Sequence, residues 1–311
     1  MNVESPNFLQ SNTWDKMNQL IGAKTINIDG VLCVIRDAKR GRYLEIPGGP
    51  FAKWEDSAAT AKLFSTIRQV AKDNRCVFVR FRPQLINTPE NLAILKSLGA
   101  KPAPMHLAAE HTVIIDLTIP EEKLLENMRR QTRYEVRRAK KQGITVEKSN
   151  SKAIFDEFHQ VQLETARRQN FIPPDLTTLL AEREAFGENA TIYKATENGN
   201  PIAYGLILLD GDEAAYYEAA STDLNRKLPG AYALIWDAIK TLKKQGVKRF
   251  NLWGIAPAGQ PHHRYAGVTT FKTGFGGEIV EYVPAHDLII GPFRYLINLV
   301  VETARKKRRH L

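Results

Sequence analysis

Residues 61–81 read AKLFSTIRQVAKDNRCVFVRF, and residues 232–253 read YALIWDAIKTLKKQGVKRFNLW. In the first stretch Ala61, Phe64, Ile67, Val70 and Ala71 recur at helical spacing, and Val77, Val79 and Phe81 then alternate as in a strand. The second stretch repeats the order: a helix to Gln245, then a strand from Val247. Short basic turns join helix to strand, Lys72-Asp73-Asn74 in one and Lys243-Lys244-Gln245-Gly246 in the other. Two such units place the chain in the α/β class and point to a duplicated domain. Any α/β chain contains helix–turn–strand units, so duplication stays open on this ground alone.

Working outward, Val31-Leu32-Cys33-Val34-Ile35 and residues 113–117 read as strands. Thr118 and Glu121 are spaced as a capping box, so one helix is expected from about Pro120 to Gly143. Residues 152–168 read as a helix, and 191–195, 201–209 and 214–220 as strands. Asn198-Gly199 and Asp210-Gly211 supply the turns between those strands. The first half closes near residue 148, which sets expected domains at 1–148 and 149–289. Residues 292–311 form a last helix with Phe293, Leu296, Ile297, Val300 and Val301 on one face and Arg305-Lys306-Lys307-Arg308-Arg309 at its end. That pattern reads as a packing helix with a solvated tail; peripheral contact with an anionic membrane is the alternative.

The 311 residues suit two domains better than one. The chain carries 44 Lys plus Arg against 34 Asp plus Glu, an excess of +10 that points to a polyanionic partner. No apolar run is long enough to span a bilayer, and no secretory signal is visible, so a cytoplasmic protein is expected. Cys33 and Cys76 lie far apart without a CxxC pattern, which argues against a zinc site or a disulfide framework. His262, His263 and Tyr265 lack a suitably spaced third ligand, so no metal is expected there.

Residues 129–141 hold the densest charge. At about 100° per residue, Arg129, Arg130, Arg133, Arg137, Lys140 and Lys141 fall on one third of a helical wheel. Six cations on one stripe repel each other unless an anion sits there, so the stripe reads as phosphate-binding. In Phe271-Lys272-Thr273-Gly274-Phe275-Gly276-Gly277 a single Lys stands among aromatics and glycines. That setting fits an electrophilic ammonium able to stabilise an oxyanion, and also a plain hairpin with a surface Lys. Lys227-Leu228-Pro229-Gly230-Ala231-Tyr232 faintly echoes a CoA pyrophosphate loop, but its last small residue is replaced by Tyr232.

Several segments occur in an order that resembles the Fem family. Residues 133–144 resemble its "RYxIRxAxKxGV" helix, 164–171 its "ETxxRxxF" segment, 216–221 its "YLYGAS", 251–255 its "YDFGGI", and 265–277 its "GVxxFKxGFGG". Fem proteins are aminoacyltransferases that extend the stem peptide of peptidoglycan precursors from aminoacyl-tRNA. The resemblance implies two tandem acyl-CoA N-acyltransferase-like (Gcn5-related) domains with mixed sheets. The C-terminal helix, 290–311, would complete the first domain. It implies no coiled-coil arm, since no long heptad run occurs, and no cofactor beyond the tRNA-borne donor.

Carried over residue by residue, Lys272 matches the oxyanion-stabilising Lys, and Tyr216 an acceptor-site Tyr whose second copy is replaced here by Glu218. The stripe residues Arg133, Arg137 and Lys140, the segment residues Glu164 and Arg168, and Trp253, Phe271 and Phe275 are the expected substrate-binding set. The family's Pro-Arg-Gly-Pro turn reads Pro47-Gly48-Gly49-Pro50, one cation short, with Lys53 nearby. The resemblance implies a UDP-linked or lipid-linked muropeptide as acceptor, and the compact form points to the UDP-linked one. Asp287 is a candidate proton acceptor. The rival readings are a CoA-dependent N-acyltransferase on the same fold and a basic nucleic-acid-binding module.

Overall fold

The computed structural model describes residues 7–260, 263 and 265–309, with side chains through Lys306. His262 and the basic side chains from Lys307 onward, singled out above, lie outside the described set. In chain order the elements are α1 (Asn12–Leu20), β1 (Lys24–Ile28), β2 (Val31–Ala38), β3 (Gly41–Ile46), α2 (Ser57–Asp73), β4 (Phe78–Phe81), α3 (Pro89–Ser97) and β5 (Lys101–Pro102). Then follow β6 (His111–Asp116), α4 (Glu121–Asn127), α5 (Arg130–Lys141), β7 (Thr145–Ser149), α6 (Lys152–Gln169) and α7 (Leu176–Phe186). The remainder is β8 (Ala190–Glu197), β9 (Asn200–Asp210), β10 (Glu213–Ser221), α8 (Gly230–Lys244), β11 (Arg249–Gly254), α9 (Ala266–Thr273), β12 (Glu278–Glu281), β13 (His286–Ile289) and α10 (Pro292–Arg309).

Two compact units form. Unit 1 holds Met1–His111, Ala256–Arg264 and Val280–Leu311; unit 2 holds Thr112–Ile255 and Tyr265–Ile279. The sheets run β1-β2-β3-β4-β13-β5 and β12-β6-β11-β10-β9-β8-β7. Each has a three-strand antiparallel meander, β1–β3 or β8–β10, whose last strand pairs in parallel with a following strand. A parallel pair needs a crossover, and a helix supplies it both times: β3–α2–β4 and β10–α8–β11. The two quoted sequence stretches are these crossover helices with their strands, so the repeat is real at the level of topology.

The boundary expected at residue 148 falls at 111/112 instead. Strand β6 lies antiparallel to β11, with Phe250 opposite Ile115, and Val113, Ile115, Leu124 and Val136 enter the core of unit 2 with Leu234 and Phe250. The reciprocal strand, β13, lies antiparallel to β4 in unit 1. Each parallel pair therefore gains its outer neighbour from the opposite half of the chain. The single helix expected over 120–143 is broken at Met128–Arg129, where ψ is extended, into α4 and α5. The capping box does not form, because the Thr118 hydroxyl and amide both turn to the Asp116 carboxylate.

In unit 1, Phe64 and Ile67 of α2 pack on Leu44, Val79 and Phe81. In unit 2 the faces of the sheet are divided by alternation. Ala203 joins Leu234 of α8 in one core, while its neighbour Tyr204 meets Phe158 of α6. Each fully buried Leu, Ile or Phe contributes about 1.5–3 kcal/mol.

The C-terminal helix packs in unit 1 through polar groups and through Tyr295, whose ring meets Phe78 edge-on at 5.5 Å with Leu299 against the same cluster. Arg80 of β4 makes a two-pronged pair with Asp287 of β13, both contacts 2.8 Å, and reaches Glu302 of α10 at 2.8 Å. The Tyr295 hydroxyl donates to Asp287 at 2.9 Å. Burial pushes the Asp287 carboxyl up, and its bonds from Arg80 and Tyr295 hold it down. Removing one partner leaves the other charge buried and unpaired. Asp287→Ala is therefore expected to lower the unfolding free energy by about 3–5 kcal/mol in urea titrations. A loss under about 1 kcal/mol would show that the pair does not hold this region together.

Candidate active site

The β10–β11 ladder is short. It pairs Glu213 with Arg249, Ala214 with Phe250 and Ala215 with Asn251, and then stops. On β10 a bulge follows, between Tyr216 and Glu218. On β11 the buried Asn251 side chain accepts the Trp253 amide at 2.9 Å, and Trp253 adopts a φ of 63°. Both strands thus leave regular pairing at the same level. A bulge or a strained residue at a sheet interruption is a common way to aim side chains into a site.

Lys272 of α9 occupies that level. Its Nζ donates to the Gly254 carbonyl at 2.9 Å and stands 5.9 Å from the centroid of the Tyr216 ring. The side chain is only 8% exposed, so the surface-hairpin reading fails. Burial lowers its pKa from 10.5 to about 7. Burial also pushes the Tyr216 phenol up. Gly205 of β9 makes room for this ring: a Cβ there would lie 2.3 Å from a Tyr216 ring carbon. Gly205 escaped the sequence reading, although a glycine inside a strand signals such a close approach.

The glycines after Lys272 fix α9 in place. At Gly276, with φ 81°, a Cβ would lie 2.2 Å from the Asn127 carbonyl oxygen. At Gly274 it would meet Thr132 Oγ1 at 2.3 Å. They are packing positions against the end of α4 and the start of α5. Phe271 and Phe275 stack edge-on at 5.3 Å and pack on Tyr232 of α8. Phe275 is 1% exposed, so it buttresses α9 from beneath; Phe271 keeps partial exposure.

The cationic stripe divides in two. Arg129 donates through its side chain to the Thr270 carbonyl and through its amide to Gly274 O at 2.8 Å, which ties down α9. Arg133 donates to the carbonyls of Glu126, at 2.9 Å, and Met128, closing the C-terminal end of α4. Arg133 therefore fastens two helices and is not a free phosphate ligand. Arg130, Arg137, Lys140 and Lys141 are exposed on α5.

The expected role of Arg168 changes likewise. It donates to Ser221 O at the end of β10 and to Thr165 Oγ1 at 3.3 Å, while Thr165 accepts the Ser221 amide at 3.1 Å. The pair anchors the strand that carries Tyr216. Glu164 is exposed on α6. Trp253, half-buried, meets Tyr217 edge-on at 5.4 Å. Asp287 is fully buried in its ion pair in unit 1, which withdraws it as a proton acceptor. The Pro47-Gly48-Gly49-Pro50 turn packs under Gln10, which donates to Pro47 O at 2.8 Å, and Lys53 is exposed.

A second buried group was missed. Gln162 of α6 donates to Glu218, and Glu182 of α7 is 2% exposed. Burial raises Glu218 to about 7; burial and then the Glu218 charge push Glu182 well up. The signal was a lone carboxylate on the apolar side of α7. The loop before α8 uses its own amides: Lys227 and Leu228 bond Leu224 O, Gly230 bonds Leu228 O, and Ala231 bonds Asn225 Oδ1. Among the described residues no group of three metal-ligating side chains gathers.

Sequence and structure comparisons agree with this architecture. A profile of the FemAB family matches residues 1–198 and 175–303. Aminoacyltransferase FemA of Staphylococcus aureus is 34% identical over 89 residues, a stretch that is 28% of this chain and 21% of FemA. The matched stretch thus spans about a fifth of that relative's length. The crystal structure of FemX superposes with a TM-score of 0.80 at 16% identity and covers 94% of each chain. A tandem GNAT protein from the clavulanic acid pathway superposes at 0.50 and 12% identity, over 84% of this chain and 79% of that one. The fold is therefore the tandem Gcn5-related one, and among the described residues no helix exceeds 18 residues, so no coiled-coil arm is present. The chain belongs to the FemAB family.

The burial of Lys272 has a measurable sign. Below about pH 7 the lysine is protonated folded and unfolded, and its burial destabilises in full. Between about 7 and 10.5 the unfolded chain holds more protons, so stability rises with pH. Lys272→Met should therefore raise the thermal midpoint. The gain should be greatest below pH 7 and fade toward 10.5, at about 1.4 kcal/mol per pKa unit. A gain independent of pH would refute the lowered pKa.

Proposed function

We propose that this FemAB-family chain is an aminoacyltransferase that moves an amino acid from aminoacyl-tRNA to the stem peptide of a peptidoglycan precursor. The observation that carries the reading is the Lys272 ammonium held at the parted ends of β10 and β11, between Gly254 O and the Tyr216 ring. The name of its relative, aminoacyltransferase FemA, supports the reaction class.

The acceptor amine attacks the ester carbonyl at the tRNA 3′ end. A C–N bond forms, and the carbonyl oxygen gains negative charge. An ammonium in a dry setting stabilises that charge far better than one in water. Collapse breaks the C–O bond to the ribose. The amine's proton ends on the departing ribose oxygen, so the net reaction consumes no protein base. The Tyr216 ring stands beside Lys272, Trp253 directly precedes the Gly254 whose carbonyl Lys272 bonds, and Phe271 is partly exposed.

Arg130, Arg137, Lys140 and Lys141 remain available for tRNA phosphates. A CoA donor fits less well, because the amides that would meet its pyrophosphate are already engaged within the loop before α8. On this reading the donor is the tRNA ester, with no further cofactor, and the reaction takes place in the cytoplasm.

The test is transfer of radiolabelled amino acids from a charged tRNA pool to UDP-linked or lipid-linked muropeptide. Label that is RNase-sensitive is expected, and Lys272→Ala should lower the rate by about 10²–10³. No label with either acceptor, together with acetyl-CoA turnover, would replace this reading by a CoA-dependent one. The pH dependence separates roles. The ratio of wild-type to Lys272→Arg activity should fall above about pH 7, because Lys272 loses its charge there and arginine does not. Arg137→Gln with Lys140→Gln should flatten the salt dependence of tRNA binding by roughly 1.5–2 in log–log slope. An unchanged slope would remove α5 from the tRNA interface.

A further inference from the structure

Helix α10 packs inward through polar groups and through Tyr295 and Leu299 against Val77 and Phe78, and turns a longer apolar stripe outward. Tyr295 and Asn298 are buried; Tyr295 bonds Asp287, Asn298 accepts from Arg40 at 3.1 Å, and Glu302 pairs with Arg80. Phe293 is 89% exposed, Leu296 and Ile297 59%, and Val300 62%. These four span about 100° of the helical wheel, a continuous apolar stripe facing water. The segment does pack as a helix, but through Tyr295, Asn298, Leu299 and Glu302 and not through the apolar face marked in the sequence. An exposed apolar stripe of this kind marks an interaction surface.

Charge identifies the partner. The exposed charges described on α10 are all cations: Arg294, Arg305 and Lys306. Its one acid, Glu302, is turned inward to Arg80. The sequence continues with Lys307-Arg308-Arg309. We propose that α10 docks the protein on an anionic lipid bilayer, lying in the interface with Phe293, Leu296, Ile297 and Val300 at the acyl boundary and its cations against lipid phosphates. An apolar stripe bordered by basic residues, on a helix too charged to span, is the composition such helices share. A second copy of this chain fits less well, because the face offers no acid to meet another copy's cations. If the transfer reading holds, docking places the enzyme beside a lipid-linked acceptor, contrary to the UDP-linked one expected above. The docking itself is tested without any transfer assay.

The full chain is sedimented with phosphatidylcholine vesicles and with vesicles also containing phosphatidylglycerol. Pelleting with the anionic vesicles alone is expected. Leu296→Glu with Val300→Glu should lower partitioning at least tenfold. Both positions already face water, so the circular dichroism melt should not move. Arg305→Gln and Lys306→Gln should each weaken binding roughly fivefold. Failure to bind either vesicle overturns the proposal. So does undiminished binding by the glutamate variant, which would mean adhesion by charge alone. A wild-type dimer in analytical ultracentrifugation that the same variant converts to monomer would assign the stripe to a second copy instead.

Discussion

A buried ammonium without a carboxylate partner is among the most expensive groups a fold can hold. Unit 2 is built so that one sits where β10 and β11 cease to pair. Each supporting feature serves that placement. The Asn251 side chain turns the backbone of β11 at Trp253, the bulge turns β10 at Tyr216, and Gly205 gives the Tyr216 ring its floor. Gly274 and Gly276 let the end of α9 approach α4 and α5 more closely than any side chain would allow. The lowered pKa of Lys272 follows from this confinement, which brings it from 10.5 down to about 7.

The residues that most resemble ligands in the sequence turn out to be fasteners. Arg129 and Arg133 offer planar, multi-donor heads to backbone carbonyls at helix ends, where peptide dipoles favour a cation. Arg168 does the same for Ser221. Such contacts depend on long side chains folding back on their own neighbourhood, which wheel geometry does not reveal. The wheel gives direction at Cβ; the destination of a guanidinium several bonds further out depends on the nearest open carbonyls. The cations left exposed are Arg130, Arg137, Lys140 and Lys141.

The parts of the fold legible from sequence were those with long, uninterrupted periodicity. Helices α2, α6, α8 and α10 and strands β2 and β8–β11 lie within a few residues of their expected ranges. Short elements with mixed patterns escaped, including β5, β13 and α9, because tertiary pairing rather than local preference defines them. The domain boundary escaped for a related reason. Residues 112–148 read locally as the last part of a first domain, and only the pairing of β6 with β11 and of β7 with β8 shows where they belong. At the site, Lys272 was legible as a lone cation among aromatics and glycines, yet its burial was not, since a Gly-rich segment equally suits an exposed turn. Glu182 could be marked by its place on the apolar side of α7, but helical spacing gives no sign that α6 and α7 bring Gln162 and Glu182 to Glu218.

Helix α10 shows how a small number of buried charges can outweigh a larger apolar area. Burying Phe293, Leu296, Ile297 and Val300 would contribute about 1.5–3 kcal/mol for each side chain. The helix forgoes this. Its inward face is set by Asp287 and Arg80, which the sheet already buries and which need every hydrogen bond they can find. Tyr295 and Glu302 answer that need, and their spacing along the helix fixes its rotation. Once the rotation is fixed, the apolar stripe must face outward. The same residues that close unit 1 on its polar side therefore leave it open on the other, and the unburied area is available to whatever surface meets it.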